Sequence, residues 1–375
     1  MNILAGKYEI HGLMAVGGVA EIYLARARTK RGGGRVVVVK RLLPALAREP
    51  ELSRMLLAEA TIVSVLEHPN IVQVLDLGTV TEGDGTDYFV VMEYVHGRDL
   101  ADLLGRLTEK NRRLPMPVVF EIAQAIACGL AYAHGARDYQ GRPLGIVHRD
   151  MSPHNVLVSF GGDVKISDFG IAKFATDDVT TEAGVFKGKF RYMSPEQAAR
   201  KNVDHRSDIF SLGILLWEMI AGETLFAAKS LLETVERVRK ARVPDLREKR
   251  PEVPAAIAEV VKTALARKVH ERFQSAEAIG VALESAGAAL PRGATTPTLA
   301  DVMREQYSDA ERALPKIAMA KAREGETTAA RRRETGALDE TMTKTILGRA
   351  ERRAESAGDV SFVDLVLEEL KRASG

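Results

Sequence analysis

From residue 8 to about 95 the apolar positions come in short runs, several of them β-branched, with turn residues between. VVVVK at 36–40 and YFVVMEYV at 88–95 are the clearest. Runs of this length and composition predict strands. One stretch breaks the pattern: over 51–66, Met55, Ala58, Ile62 and Val65 recur on one face at helical spacing, which predicts one helix against a small sheet. From about 100 to 289 the periodicity is mainly helical, with a short β insertion around 147–170. After Pro291 the chain turns to Arg, Glu, Thr and Ala with few large apolar residues. Such a segment buries too little surface to offset its chain entropy. At the end, Ser361 suits an N-cap, and Val363, Val366, Leu367 and Leu370 follow at i, i+3, i+4 and i+7. The expected division is a domain over 1–289, with a β-rich part about 1–95 and a larger helical part about 96–289. A mobile linker over 290–360 and a short amphipathic helix over 361–373 complete it.

Charge changes this picture little. The 375 residues carry 53 basic and 51 acidic side chains, a formal net charge of +2. Nothing global points to nucleic acid or to an anionic membrane. The single cysteine, Cys128, sits in an apolar helical run, IAQAIACGLAYAH, which excludes intrachain disulfides and favours a reducing compartment. MNILAGKYEI has no long apolar core, so no signal peptide is expected. The apolar run at 209–220 is too short to span a membrane and contains Glu218. A cytoplasmic location without a membrane span is expected.

The chemistry concentrates in 147–170, VHRDMSPHNVLVSFGGDVKISDFG. Asp150, Asn155 and Asp168 have the spacing to hold magnesium-bound triphosphate against a hydroxyl. Asp150 can orient the hydroxyl and take its proton, and Asn155 and Asp168 offer hard oxygen ligands for Mg²⁺. The segment resembles the H-R-D-x-x-x-x-N catalytic loop and D-F-G of eukaryotic-type protein kinases, in particular the bacterial eukaryotic-like (Hanks-type) serine/threonine protein kinases. The resemblance covers about residues 8–285. It implies an α+β, two-lobed protein-kinase fold, with ATP and Mg²⁺ as cofactors.

Carried over residue by residue, the resemblance implies that Lys40, closing VVVVK, reaches the α- and β-phosphates with Glu59 as its acidic partner. The nucleotide-covering hairpin falls on YEIHGLMAVGGVAEIYLAR, where the first and third glycines of the pattern are Ala15 and Ala20, leaving Gly17 with Gly18 beside it. Ile22, Val38 and Leu157 would sandwich adenine, and the backbone of Glu93 and Val95 would meet its edge behind Met92. Glu196 expects a buried arginine, supplied by Arg272, and Asp208 would anchor the HRD backbone. Val63, His148 and Phe169 match the apolar stack between lobes.

Two positions depart from the family together. Ser152 stands where serine/threonine kinases place a phosphate-steadying lysine, and Lys189 stands where they place threonine. In the family fold these side chains are neighbours, so the Lys189 ammonium is expected to take the missing position. A unit charge about 4 Å from phosphate is worth roughly 4 kcal/mol at an effective dielectric near 20. Arg149, with Thr180 and Thr181, is expected to form a phosphorylation-dependent activation device.

The resemblance implies transfer of the ATP γ-phosphoryl to serine or threonine of protein substrates, with autophosphorylation through a transient homodimer. The alternatives are a nucleotide-binding pseudokinase scaffold and an aminoglycoside-type small-molecule kinase. The second lacks the activation segment ending in SPE and the Glu196–Arg272 pair. GARDYQGRPL, between His134 and Gly145, reads as a surface loop longer than the family's usual turn.

Overall fold

The computed structural model describes residues 2–18, 20–28, 34–43, 60–82, 85–138, 140–169, 190–288, 290 and 296–315. Its first part is a six-stranded antiparallel sheet. The strands are β1 (Asn2–Leu4), β2 (Tyr8–Val16), β3 (Ala20–Ala27), β4 (Val36–Leu42), β5 (Val74–Glu82) and β6 (Gly85–Glu93), in the order β1-β2-β3-β4-β6-β5. Alternation along β4 sorts its side chains between two faces. Val37 and Val39 enter a small core with Tyr8, Phe89 and Val91, which leaves Val38 and Lys40 on the opposite face. Residues 60–63 are helical, and Ile62 and Val63 are buried. The helix ends there, so Val65 lies in the following turn and is exposed; the expected start of this helix at 51–59 lies outside the described residues.

The second part opens with β7 (Gly97–Asp99), α1 (Leu100–Glu109) and α2 (Met116–Gly135). β8 (Val156–Ser159) and β9 (Val164–Ile166) complete a three-stranded sheet with β7. α3 (Pro195–Ala198), α4 (Arg206–Ala221), α5 (Leu231–Lys240), α6 (Leu246–Lys249), α7 (Ala255–Ala264) and α8 (Ala276–Gly287) follow. Every side chain of α4 from Ser207 to Ala221 is buried, as its apolar run requires. α2 is long and apolar enough to cross a membrane, but Val118, Val119, Ile122, Ile126 and Leu130 are wholly buried in the helical core.

A β-rich part followed by a helical part is the two-lobed arrangement expected from the sequence. The loop after α2 forms a small hairpin of its own. Leu144 N–H donates to Ala136 O, Asp138 N–H donates to Arg142 O, and the Asp138 carboxylate accepts from Arg142 Nε at 2.7 Å.

The expectation of a mobile linker from 290 onward is corrected over 296–315. Here the chain forms α9 (Leu299–Gln306) and α10 (Asp309–Arg312), each opened by a capping box, from Thr298 and from Ser308. Leu299, Val302, Met303 and Tyr307 are buried, and Leu299 N–H donates to Glu121 of α2. Gly162, in the β8–β9 turn at φ +98°, lies against the backbone of Ala300, and a Cβ would crowd it there. Enough apolar surface is concentrated in this short stretch to dock it, although the average over the whole tail is polar. Residues 316–375, including the expected terminal helix, lie outside the described residues.

Candidate active site

The site lies where the two parts meet. Lys40 Nζ donates to Asp168 Oδ1 at 2.6 Å, linking β4 to the segment after β9. That contact identifies the cleft face of β4. Val38, two residues earlier, shares it, and Ile22 stands directly across from Lys40 in the β3–β4 ladder. Val38, Ile22 and Leu157 are all half-buried, whereas Val37, Val39, Val156 and Val158 beside them are fully buried. The three expected ring-flanking residues therefore belong to cleft-side positions. A small pocket of about 40 Å³ lies beside Lys40 and Asp168, lined by Val63, Val74, Met92 and Phe169 among others.

Glu93 is fixed at both ends. Its N–H donates to Gln73 O at 3.0 Å, and its carboxylate accepts from Lys165 Nζ at 2.8 Å. With the donor taken, a ring edge can meet this residue only through its carbonyl. The Lys165 contact was missed at the sequence level, because one lysine on a short strand reads as a solvated edge.

In the covering hairpin, Gly17 N–H closes onto Ala20 O at 2.8 Å. Neither Ala15 nor Ala20 has positive φ. Both sit in strand conformation, so exchanging glycine for alanine costs no backbone strain. Ala15, Gly17 and Gly18 are exposed.

The catalytic-loop residues are held by a chain of hydrogen bonds. Asn155 Nδ2 donates to Asp150 O at 2.7 Å and to Asp150 Oδ2 at 3.1 Å. Asn155 O accepts Ser167 N–H at 2.9 Å, which brings the residue beside Asp168 onto the same loop. Asp168 (φ 56°) and Arg149 (φ 63°) occupy the left-handed region, a conformation that a non-glycine residue keeps only when its surroundings enforce it. For Arg149 the enforcement is visible: its N–H donates to Asp208 Oδ1, and its carbonyl accepts from Gln197 Nε2 of α3, each at 2.8 Å.

Asp208 is buried and also accepts His148 N–H and His134 Nε2, both at 2.8 Å. Burial alone would raise its pKa, but the His134 hydrogen bond, reinforced by His148, holds it below the usual aspartate value. His134 is a second residue missed in the sequence, since a histidine at a helix end carries no distinctive spacing. His148 is fully buried, and desolvation lowers its pKa. Its Nε2 lies 3.0 Å from Ser167 O, and its Nδ1 accepts Asp150 N–H at 3.2 Å. The neutral Nε2–H tautomer satisfies both contacts. The His148 ring meets Phe169 at 4.6 Å, and Val63 belongs to the same core.

Ser152 is fully buried, and its Oγ has no hydrogen-bond partner among the described residues. Lys189, its expected counterpart, lies outside them, as do Glu59, Thr180 and Thr181. Farther out, Glu196 receives a two-pronged contact from Arg272, at 2.7 and 2.8 Å, plus Ser207 Oγ at 2.6 Å. Burial pushes the Glu196 pKa up, but these donors outweigh it and hold the carboxyl below its usual range.

Residues 8–281 match the protein kinase domain, and the chain belongs to that family. Among curated relatives, it is 39% identical to the tyrosine-protein kinase MasK of Myxococcus xanthus, over 77% of this chain and 45% of that protein. It is 33% identical to the serine/threonine-protein kinase PrkC of Bacillus subtilis, over 73% of this chain and 39% of that one. It is 32% identical to the serine/threonine-protein kinase PknA of Mycobacterium tuberculosis, over 78% and 65%. The chain thus spans less than half the length of the first two.

Proposed function

We propose that this chain is a serine/threonine protein kinase of the bacterial eukaryotic-like type, transferring the γ-phosphoryl of Mg-ATP to protein hydroxyls. The observation that carries this reading is the single constellation Lys40–Asp168–Asn155–Asp150. It joins a cation suited to phosphate, two oxygen donors suited to a metal and a carboxylate aimed by an amide. Asp150 orients the acceptor hydroxyl and takes its proton. Lys40, with Glu59 as its proposed partner, positions the phosphates.

The donor set fits magnesium. The Asn155 nitrogen is committed to Asp150, so its carbonyl oxygen is left for a cation, beside the hard carboxylate of Asp168. When bound, the ion supplies neutralisation of phosphate charge. The remaining stabilisation comes from the chain's own cations, which include Lys189 in the place vacated at Ser152.

Incubation with labelled ATP, alone and with a generic basic protein, tests the assignment, followed by phosphoamino-acid analysis. Label on serine or threonine supports it. Label on tyrosine alone would favour a second reading, suggested by the similarity to the tyrosine-protein kinase MasK. Nucleotide binding without any transfer would favour the pseudokinase scaffold. The Glu196–Arg272 pair and the activation segment weigh against a small-molecule kinase.

Phosphate on Thr180 or Thr181 is proposed to engage Arg149, whose guanidinium suits a two-pronged grip. Mass spectrometry showing neither site modified in fully active enzyme would refute this.

A further inference from the structure

The docked segment after the catalytic domain reaches the hinge. The chain leaves β6 through 94–96 into β7, where Gly97 packs so closely on β8 that a Cβ would overlap Val158 O. His96 O accepts Phe160 N–H at 2.9 Å. From there a continuous stack runs outward. The His96 ring meets the Phe160 ring edge-on at 5.0 Å, and the Phe160 ring meets Tyr307 at 5.5 Å. The Arg98 guanidinium lies 5.6 Å from the Phe160 ring centre and 5.9 Å from that of Tyr307. Tyr307 is 2% exposed. Its hydroxyl donates to Asp102 Oδ2 at 2.6 Å, and Arg106 covers its face at 4.2 Å. Arg106 in turn donates to Glu311 at 2.6 Å, and His96 Nε2 lies 3.4 Å from Ala313 O. The segment therefore grips both the residues leaving the hinge and the first turn of α1.

We propose that Tyr307 is a positioning residue for the nucleotide, clamping the hinge exit from outside the cleft so that the backbone of Glu93 and Val95 is preset to meet the adenine edge. This rests on the kinase reading above. The physical cause is preorganisation. Immobilising a side chain at the moment of binding costs roughly 0.5–1.5 kcal/mol, and a hinge already held by the stack avoids that cost for His96, Arg98 and Phe160. Arg98 and Phe160 share Tyr307 as a packing partner, so loss of the ring loosens both. The clamp touches none of Asp150, Asn155 or Asp168, so it acts on affinity and not on the chemical step.

The test uses the full chain with Tyr307→Ala and Tyr307→Phe. KM for ATP and kcat are measured with a generic basic protein, and Mg-ADP affinity is measured separately by calorimetry. For Tyr307→Ala, KM for ATP and the Kd for ADP rise about fivefold, or about 1 kcal/mol at 1.4 kcal/mol per tenfold. kcat changes by less than twofold. Tyr307→Phe keeps the ring stack and recovers most of the affinity. Unchanged ADP affinity in folded Tyr307→Ala, or a fall in kcat at constant KM, overturns the proposal. Should Tyr307→Ala fail to fold, Arg98→Ala breaks the same stack from the other side, and unchanged ADP affinity there overturns it equally. A wild-type chain that binds ADP but transfers no phosphate refutes the kinase reading, while the ADP arm still decides the clamp.

Discussion

At the scale of single residues, Asp150 and Asp168 are both carboxylates within one hydrogen-bonded loop system, yet their surroundings assign them different work. The Asp150 carboxylate is turned by Asn155 Nδ2, whereas Asp168 faces Lys40. Asp150→Asn should lower phosphoryl transfer by about a hundredfold or more while leaving Mg-ADP affinity nearly unchanged. Asp168→Asn should instead lose metal-dependent nucleotide binding. Calorimetry alongside initial rates separates the two, and wild-type turnover in Asp150→Asn would remove the assignment of the base. Ser152 is buried, with no partner for its hydroxyl among the described residues, and the neighbouring exchange is testable too. Lys189→Thr should be severely impaired, and adding Ser152→Lys should restore much of the activity, a strong non-additivity between the two positions. Full activity in Lys189→Thr alone would end the compensation idea.

At the level of elements, α3 and α4 are pinned to the catalytic loop by polar contacts, from Gln197 to Arg149 O and from Asp208 to the His148 and Arg149 N–H groups. α3 is tied down through Glu196 to Arg272, and the Arg272 side chain is itself wholly buried. Replacing one partner strands the other charge, which typically costs 3–5 kcal/mol. Arg272→Met should therefore lower the melting temperature by roughly 6–20 °C, at about 2–4 °C per kcal/mol for a domain of this size. A shift below 2 °C in differential scanning calorimetry would show that the pair is dispensable.

The His148–Asp208 junction adds a pH dependence. Burial lowers the pKa of His148 below 6.5, so the folded chain stays neutral there while the unfolded chain takes up a proton. Stability is thus complete above about pH 6.5 and declines as the pH falls below it. Asp208, whose folded pKa is also lowered, contributes stability that is lost only near and below pH 3.8. Between pH 7.5 and 5, His148→Gln should show a shallower fall in melting temperature than the parent chain, and equal slopes would contradict the argument. The loop motifs were legible in sequence because phosphoryl transfer demands fixed residue types at fixed spacing. The partners that pin them, His134 and Gln197, were not, nor was Lys165, which holds Glu93, because any nearby donor can serve an acceptor brought together by the fold.

For the whole molecule, the largest departure from the sequence reading is the docking of 296–315. Its signal was present: Thr298 and Asp301 make a capping box, and Leu299, Val302 and Met303 follow at helical spacing. It was outweighed by the polar composition that follows. The docked segment covers part of the domain surface with Leu299, Met303 and Tyr307, and it adds charge pairs from Glu311 to Arg106 and from Glu305 to Arg112. The exposed pair contributes little, so the apolar side chains dominate, at roughly 1.5–3 kcal/mol each when fully buried. Part of that gain is offset by ordering the segment, and the net is several degrees of melting temperature, not the whole fold. A chain ending at residue 315 should melt within about 2 °C of the 375-residue chain. One ending at 290 should fold but melt at least 5 °C lower, because it bares the apolar surface of α1 and α2 beneath α9. If both truncations melt like the parent chain, the docked segment is not part of the stable domain. If the shorter one does not fold at all, the boundary of the catalytic domain lies beyond 289, at the end of α10.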